Sequence, residues 1–512
     1  MPTRSSFRFA LITGSALLAG CTVGPDFQRP SLWSPASWFA ARPKPDTASA
    51  ASQPVPEKVD PNWWTLFHDP ELTTLENRVV AANLDVRLAT IRLAESRAQG
   101  RIARADQFPS VDGNASYSRE ELSHRGVISL FGNGTGGSQN GIPSSATGSP
   151  PPRIPPFNLW QYGFDASWEL DLWGRVRRSV EEADASVDAS AEARRSAVLS
   201  VVAELARDYM QLRGIQAEID ITERNLRTAQ ETLDLTRSRY RGGVTTELDV
   251  ANAATQVATT AAQLPQQRQR EEETINALSF LLGEAPGALR AELETPQAVP
   301  PVPPRVPIGV PSELARRRPD IREAEAQLHA ATADVGVAVA DFYPQVSLTG
   351  SLGLQALHFQ DLANWDARQY ALGPSITLPI FQGGRLRATL ELRKQQQQEA
   401  AITYQRTVLQ AWHEVDNALT AYAEEQARRD QLAVAVSESQ RALDLARVRY
   451  TQGVTDFLNV LDAERALLAA QLQLADSTTT VSNNLVQLYK ALGGGWETAY
   501  PAAEAVAGTR AM

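Results

Sequence analysis

The chain has 512 residues, of which 43% are hydrophobic and 21% charged, with 59 acidic against 49 basic side chains. This composition is neither that of a disordered chain nor that of collagen. Beyond the first twenty residues, no stretch approaches the roughly 20 consecutive apolar residues of a membrane-spanning helix, which excludes a polytopic helical membrane protein. The acidic pI of about 5.3 argues against a nucleic-acid partner. The single cysteine excludes internal disulfides and a cysteine-based zinc site.

The N-terminus has the parts of an export signal, because Arg4 and Arg8 precede an apolar stretch that ends in small residues. The tetrapeptide Leu18-Ala19-Gly20-Cys21 resembles the lipobox of bacterial lipoproteins, in which the cysteine becomes the first residue of the mature chain and carries acyl groups. A plain secretory signal with a chance cysteine is the alternative. From this tetrapeptide we predict lipidation at Cys21. Several acyl chains on that cysteine would anchor the protein far more firmly than one.

The chain is an internal duplication. Residues 233–250, LDLTRSRYRGGVTTELDV, align with residues 443–460, LDLARVRYTQGVTDFLNV, with 11 identities in 18 positions at an offset of 210. Upstream the offset becomes 235, because the first half holds about 25 extra residues in a Gly-, Ser- and Pro-rich stretch between Pro109 and Arg175, which is typical of a mobile loop. The predicted organisation is therefore: 1–20 signal peptide, 21–65 lipid-anchored N-terminal segment, 66–284 first repeat, 285–312 Pro-rich connector, 313–494 second repeat, 495–512 C-terminal tail.

Long helices with a seven-residue (heptad) periodicity are predicted in both repeats. From Val198, and again from Val408, seam positions recur at alternating spacings of four and three, with glutamines at 216 and 230 and, correspondingly, at 426 and 440. Such a 3.5-residue repeat indicates coiled-coil packing. The narrow seams with their glutamines favour a hollow arrangement of helices over a solid bundle, which is the alternative.

In each half we predict one long continuous helix and a second column of similar length, which consists of a return helix and a shorter helix placed end to end. The long helices cover about 175–241 and 385–451, or roughly 100 Å each, and end at turns built on Gly243 and Gly453. A threonine in each turn, Thr245 or Thr455, is suited to cap the next helix. Return helices follow at about 247–282 and 456–492, and shorter helices at about 71–107 and 312–341 are expected to stack end to end with them.

Strand pairs are predicted at about 109–172 and 344–381, from residues that alternate between apolar and polar. The clearest strand runs from Trp160 to Leu170, and Val111 to Tyr117 is the weakest of four. Strands of about ten residues with aromatic ends fit a membrane β-barrel, although a soluble sandwich shows the same alternation. Four strands cannot close a barrel in lipid, so subunits must share one. Two copies would give eight strands with a filled interior, and three would give twelve around a water-filled lumen.

These residues are similar to those of the trimeric outer-membrane efflux factors of the TolC/NodT type, in the lipoprotein branch that serves tripartite RND efflux systems. The likeness runs from about Pro61 to Trp496. The resemblance rests on the following motifs: the lipobox, Asn83-Leu84-Asp85-Val86, Trp168-Glu169-Leu170-Asp171-Leu172-Trp173-Gly174-Arg175, Arg318-Pro319-Asp320-Ile321, Leu378-Pro379-Ile380-Phe381-Gln382-Gly383-Gly384-Arg385 and the two Arg-Tyr-x-x-Gly-Val-Thr turns.

The resemblance implies a mixed α+β, mainly α fold: a homotrimer with a twelve-stranded transmembrane β-barrel, four strands per chain, continued by a long α-helical coiled-coil barrel in the periplasm. It implies an outer-membrane channel that passively conducts drugs or other small substrates. Its partners would be outer-membrane lipid, a periplasmic adaptor and an inner-membrane pump. The implied adaptor-docking tips are Arg237, Tyr240, Gly243, Val244, Arg447, Tyr450, Gly453 and Val454.

The resemblance also places a periplasmic gate at Leu458, Asp462 and Arg465. Some relatives carry a second acid where this chain has Asn459, so a single carboxylate ring is expected. Three symmetry-related Asp462 carboxylates near one axis would repel each other, which raises a pKa or recruits a cation. Arg465 lies on the same helix face and is placed to bridge to a neighbouring carboxylate. A solvated helical pair is the alternative.

Nothing in the sequence favours an enzyme. The five histidines are scattered, and His413-Glu414 lacks the second histidine of a zinc protease helix. We therefore expect no catalytic residues, no metal and no cofactor other than the covalent lipid on Cys21. A lipid-anchored periplasmic adaptor and a scaffold without a pore are the remaining alternatives, although adaptors usually have one helical hairpin flanked by small β-domains rather than two duplicated hairpins.

Overall fold

The computed structural model describes residues 22–31, 35, 37–39, 52–121 and 155–497. The predicted signal peptide, Cys21, most of the Gly-, Ser- and Pro-rich stretch and the end of the C-terminal tail lie outside these residues. Within them the elements are, in chain order: β1 Gln53–Val55, α1 Pro70–Ala82, α2 Leu84–Ala105, β2 Ser110–Glu120, β3 Phe157–Glu169, α3 Arg175–Arg241, α4 Glu247–Ala261, α5 Gln263–Leu281, α6 Arg290–Leu293, β4 Arg305–Pro307, α7 Pro311–Arg317, α8 Pro319–Ala340, β5 Gln345–Ala356, β6 Arg368–Thr377, α9 Arg385–Thr451 and α10 Phe457–Ala491.

Contacts divide the chain into two compact units, and each unit takes residues from both repeats. The first consists of Met1–Phe27, Ala98–Ala183 and Ala331–Gln396, and the second of Gln28–Arg97, Asp184–Ala330 and Gln397–Met512. A four-stranded sheet lies in the first unit. The second unit holds the main apolar core and a parallel pair formed by β1 and β4. No helix in the described part of the chain is long and apolar enough to cross a membrane.

The four predicted strands form one antiparallel sheet in the order β2-β3-β5-β6. Its register keeps apolar residues on one face: Phe164 pairs with Gly113 and with Leu352. The next row belongs to the opposite face and is polar, because Asp165 pairs with Asp112 and with Ser351. The apolar face is open to its surroundings within the chain, where Phe164 and Leu352 are 60% and 59% exposed.

The two long helices have the bounds that the heptad pattern predicted. The shorter helices differ from the prediction, because each is interrupted after its first part, at Asn83 and at Arg318. Pro319 disfavours helical dihedrals at Arg318. The side chain of Asn83 leaves the helix and accepts hydrogen bonds from the backbone N–H groups of Asp85 and Val86, and so starts α2.

The return helices end at the two interruptions of the short helices, where the predicted end-to-end stacking would bring them together. Asn83 Nδ2 donates to the carbonyl of Leu281, at the end of α5, over 2.8 Å. In the second half, Arg318 Nη1 donates to the carbonyl of Ala491, at the end of α10, over 2.9 Å. Leu281 and Ala491 are equivalent at the 210-residue offset, so both halves use the same joint.

The first return helix is not continuous, which corrects the prediction of one helix over about 247–282. It breaks at Ala262 into α4 and α5. Pro265 explains the break, because it has no N–H to donate to the carbonyl of Ala261 and its ring crowds that group. Ala475 occupies the equivalent position in the second half, and α10 runs through it unbroken.

Two of the seam glutamines are structural anchors, a role that the heptad pattern did not predict. Gln216 and Gln426 are each 2% exposed. Gln216 Nε2 donates to the carbonyl of Leu293 in the connector over 2.8 Å. Gln426 accepts from the N–H of Ser52 over 3.2 Å, and so holds the N-terminal segment. Hollow packing of the helices stays a prediction.

Candidate functional site at the helix turns

The two turns that join the long helices to the return helices have the same backbone geometry. Gly243 and Gly453 have φ angles of 71° and 75°. In the first turn Gly243 N–H donates to the carbonyl of Tyr240 and Val244 N–H to that of Arg239, each over 2.9 Å, and the second turn repeats both bonds. This is the Schellman arrangement, in which glycine supplies the left-handed residue. The duplicated Arg-Tyr-x-x-Gly-Val-Thr motif is therefore a duplicated helix stop.

The helices that follow the turns are capped differently from the prediction. Thr246, rather than Thr245, caps α4, in a capping box with Asp249. Partial burial opposes ionisation of Asp249, but hydrogen bonds from Thr245 and Thr246 outweigh it and hold the pKa of the Asp249 carboxyl below its ordinary value. In the second half Asp456 is the cap residue and makes no side-chain capping bond.

Six of the eight predicted docking residues are exposed at the turns, and Gly243 and Gly453 are two of them. Val244 is 65% exposed, Val454 is 61% exposed, and Tyr240 is 45% exposed. Arg237 is also exposed and pairs with Asp234 on its own helix, with a nitrogen–oxygen distance of 3.6 Å. Exposed valines beside an arginine give a partner both apolar contact and charge, so adaptor docking here stays a reasonable prediction.

Tyr450 and Arg447, two other predicted docking residues, instead contact side chains inside the second unit. Tyr450 is only 5% exposed and packs on Phe457, with ring centroids 5.6 Å apart. The guanidinium of Arg239 lies 4.6 Å from the centre of the Tyr450 ring, and Arg239 Nη1 donates to the carbonyl of Thr451 over 3.2 Å. These contacts join the two turns to each other, so Tyr450 serves the turn as a packing residue.

Arg447 belongs to a buried polar cluster that the sequence analysis missed. Its Nη2 donates to Glu464 Oε1 over 3.0 Å and to Thr232 Oγ1 over 3.3 Å, and the Thr232 hydroxyl donates to the same carboxylate over 2.6 Å. The Glu464 side chain is only 7% exposed. One sequence signal was available, since Glu464 shares the buried stripe of α10 with Val460 and Leu467.

The predicted gate residues form one stripe on the open side of α10. Leu458 is 57% exposed, and Asp462 and Arg465 are also exposed. Spacings of four and three residues place them on one helix face. Arg465 Nε donates to Gln256 Oε1 on α4 over 2.8 Å, so the arginine is held by the first half rather than by Asp462. A carboxylate ring requires further copies of the chain and stays a prediction.

Comparisons with known proteins define the class. The sequence model of the family described as "Outer membrane efflux protein" matches residues 75–284 and 310–494, and the chain belongs to this family. It is therefore an outer-membrane channel of an efflux pump, with the four-stranded sheet and the paired helical hairpins described above.

Individual relatives are similar over almost their whole length. The toluene efflux pump outer membrane protein TtgI of Pseudomonas putida is 33% identical over 504 residues, which cover 97% of this chain and 99% of that protein. The cation efflux system protein CusC of Escherichia coli is 30% identical over 490 residues, covering 94% and 97%. Among solved structures, the outer-membrane channel OprN superposes with a TM-score of 0.83 at 36% identity, covering 93% of this chain and 100% of that one.

Proposed function

We propose that three copies of this chain form a twelve-stranded β-barrel in the outer membrane, continued by an α-helical tunnel in the periplasm. The observation that carries this proposal is the in-register sheet whose apolar face is exposed at its centre, at Phe164 and Leu352. Its strands have 10 to 13 residues, which suits a bilayer, and its outer strands β2 and β6 have no second neighbour among the described residues. Lipid does not tolerate such edges, so strands of other copies must pair with them.

Aromatic residues at both ends of the sheet support a membrane position. At one end, Trp160 packs against Tyr117 and Phe359, with centroid distances of 4.3 and 5.1 Å. Near the other end, Trp173 stacks on Tyr343 at 4.9 Å. Barrels of the outer membrane carry such girdles at both membrane–water interfaces.

The barrel is tested by planar-bilayer conductance of the detergent-purified protein, together with its mass by light scattering. A trimer that opens discrete conductance steps is the expected result. A monomer, or a particle that never conducts, would favour the adaptor or scaffold alternative instead.

Transport in this proposal is passive, with energy supplied by an inner-membrane pump that reaches the channel through a periplasmic adaptor at the helix turns. Relatives carry names that refer to toluene and to cations, and we assign this channel small organic compounds or ions in general. Specificity would reside in the pump, because a wide tunnel selects little. Co-purification of an adaptor with the channel, lost when Val244 and Val454 are both replaced by Asp, is the test.

The proposed gate is the stripe of Leu458, Asp462 and Arg465. In a trimer, symmetry would bring three copies of Asp462 together, where charge repulsion and the bond from Arg465 to Gln256 set the resting state. Replacing both Asp462 and Arg465 by Ala should raise the resting conductance. An unchanged closed-state current would show that the constriction lies elsewhere.

The proposed lipid anchor is Cys21. Labelled palmitate should be incorporated into the wild-type chain and not into Cys21→Ser. Labelling that persists in the variant would leave the plain secretory signal as the better reading.

A further inference from the structure

The four junctions between strands and helices lie at one end of the sheet. Trp168 Nε1 on β3 donates to the carbonyl of Gln107, just after α2, over 3.0 Å. Gln345, the first residue of β5, pairs with Thr377, the last residue of β6. Because β2 and β6 are the outer strands, α2 and α9 are attached to the two edges of the sheet, whereas α3 and α8 are attached to its inner strands.

The starts of α3 and α9 are equivalent at the 210-residue offset, but their charges are balanced differently. At α3, Asp171 accepts hydrogen bonds from the backbone N–H groups of Val176 and Arg177, each over 3.0 Å. The same carboxylate pairs with the Arg177 guanidinium at 3.1 Å. At α9 the residue equivalent to Asp171 is Phe381, which supplies neither a cap nor a counter-charge. Arg387, the equivalent of Arg177, therefore adds its charge to the positive end of a helix.

The ends of α2 and α8 are also equivalent and also differ in charge. Arg101 and Arg104 lie on one exposed face of α2, three residues apart. At the 235-residue offset their equivalents on α8 are Gly336 and Val339. The extra cations are thus found at the edges of the sheet, and the inner junctions are neutral or paired at the same positions.

Four exposed cations of the two edge helices are here called the basic edge surface: Arg101, Arg104, Arg387 and Lys394. Lys394 follows Arg387 by seven residues, which places both on one face of α9. One exposed acid accompanies each pair, Asp106 beside α2 and Glu391 on α9, so positive charge is in excess at both edges. Arg101, Arg387 and Lys394 form no ion pair within the described part of the chain.

Exposed apolar side chains lie between the basic edge surface and the strands. Phe108, four residues after Arg104, is 68% exposed. Phe381, six residues before Arg387, is 87% exposed, and its neighbour Ile380 is 89% exposed. A free anion gains nothing from such neighbours, whereas a membrane lipid offers a phosphate to the cations and acyl chains to the apolar side chains.

Closure of the proposed barrel brings the two edges of the sheet together. Its remaining strand pairs form between β6 of one copy and β2 of the next. Because β6 ends at the end of the sheet where β2 begins, the start of α9 in one subunit lies beside the end of α2 in the next. Cations that lie side by side repel each other, and an anion between them removes the repulsion.

We propose that an anionic glycerophospholipid of the inner leaflet binds at each of the three subunit boundaries. Arg101 and Arg104 of one chain, with the partner subunit's Arg387, bind its phosphate, because guanidinium groups donate paired hydrogen bonds to phosphate oxygens. The acyl chains lie against Phe108 and the partner subunit's Phe381. This inference rests on the proposed trimer and adds a lipid that neutralises its subunit boundaries.

The test is native mass spectrometry of the delipidated trimer, purified in detergent from the full-length chain. Dioleoylphosphatidylglycerol is the anionic probe. Dioleoylphosphatidylcholine has the same acyl chains and no net charge, so it is the control lipid. Up to three phosphatidylglycerol molecules should be retained by each wild-type trimer, and equal retention of phosphatidylcholine should need about tenfold more lipid.

Replacing Arg101 and Arg387 together by Gln should weaken retention of phosphatidylglycerol about tenfold and leave that of phosphatidylcholine unchanged. The matched control variant is Arg227→Gln with Arg441→Gln. It removes the same charge from exposed positions of α3 and α9 that belong to the second unit, and it should retain lipid as the wild type does.

Thermal unfolding of the same particles gives an independent measurement. Phosphatidylglycerol should raise the midpoint of the wild-type trimer and not that of the Arg101→Gln, Arg387→Gln variant. Inorganic phosphate at the same concentration should have no effect. Without lipid, the variant should be at least as stable as the wild type, because repulsion between neighbouring edges is reduced.

Three results would overturn the inference. Equal retention of the two lipids would mean that the charge of the headgroup is not recognised. Stabilisation by inorganic phosphate alone would mean that the surface takes a free anion. A variant trimer that is less stable than the wild type without lipid would mean that acids of the next subunit already neutralise the arginines.

Each of these results leaves the channel proposal standing if the particle is a trimer that opens discrete conductance steps. A monomeric particle would overturn both proposals, because the basic edge surface is then never brought together from two chains.

Discussion

Glu464 is an acidic residue whose carboxylate is buried between two helical hairpins, where Thr232 and Arg447 bind it. Replacing it by Gln keeps an acceptor for Thr232 but leaves the Arg447 guanidinium without its counter-charge. Removing one partner of a buried salt bridge costs about 3 to 5 kcal/mol of folding stability. Removing one partner of an exposed salt bridge costs less than about 1 kcal/mol. Arg447 is 36% exposed, so a loss of about 1 to 3 kcal/mol is expected.

Thermal unfolding of the detergent-purified protein measures this loss as a lowered midpoint for Glu464→Gln. Glu438→Gln on α9 is the control, since Glu438 is exposed. Equal midpoints for the two variants would mean that the cluster of Glu464, Arg447 and Thr232 contributes nothing to stability.

Glu76 on α1 is a second buried acid, and it predicts a pH dependence. It is 1% exposed, and neither carboxylate oxygen has a hydrogen-bond partner in the described part of the chain. Burial raises the pKa of Glu76 well above its ordinary value. The folded state therefore holds a proton that the unfolded state releases, so this group costs stability increasingly as pH rises above about 4.5.

Glu76→Leu removes that cost and should raise the unfolding midpoint. The gain should be largest near pH 8 and shrink toward pH 4, where both states bind the proton. Glu95→Gln, at an exposed acid of α2, should show no such trend. A gain for Glu76→Leu that is the same at every pH would point to packing rather than to the proton.

At the scale of secondary structure, the heptad seam located both long helices because a periodic signal over 67 residues leaves little freedom in their bounds. The heptad seam did not predict the helix breaks at Asn83 and Ala262, because they do not depend on periodicity. The first depends on the side chain of Asn83 and the second on Pro265. Gln216 and Gln426 were identified as a repeated pair, but the backbone groups that they bind, in the connector and in the N-terminal segment respectively, come from distant sequence. The same holds for Glu464, whose partners lie on two other helices.

Pro265 and Ala475 form a natural exchange experiment on the return helices. Ala475→Pro places a proline inside the continuous helix α10 and should cost about 3 kcal/mol or more, because it removes a backbone hydrogen bond and crowds Gln471. Pro265→Ala lies at the existing break and should change stability by less than about 1 kcal/mol. Unfolding midpoints and helical circular dichroism of both variants test this, and equal losses would show that the break does not depend on the proline.

For the whole molecule, the sequence predicted a sheet that one chain cannot complete, and the exposed apolar face is the structural form of that prediction. Exposure within a single chain does not by itself distinguish lipid from another protein layer as the covering material. A charged residue placed first on one face and then on the other face of the same strand tests whether lipid covers the apolar face.

Phe164 and Ser167 lie on opposite faces of β3, and both are exposed within the chain. If lipid covers the apolar face, Phe164→Arg places a charge in hydrocarbon, at a cost of up to about 2 to 4 kcal/mol in each subunit near the bilayer midplane. Ser167→Arg places the same charge on the wet face and should be tolerated. Recovery of folded trimer from outer-membrane fractions should therefore fall sharply for Phe164→Arg and stay near wild type for Ser167→Arg. The reverse order, or equal recovery, would mean that the apolar face does not meet lipid.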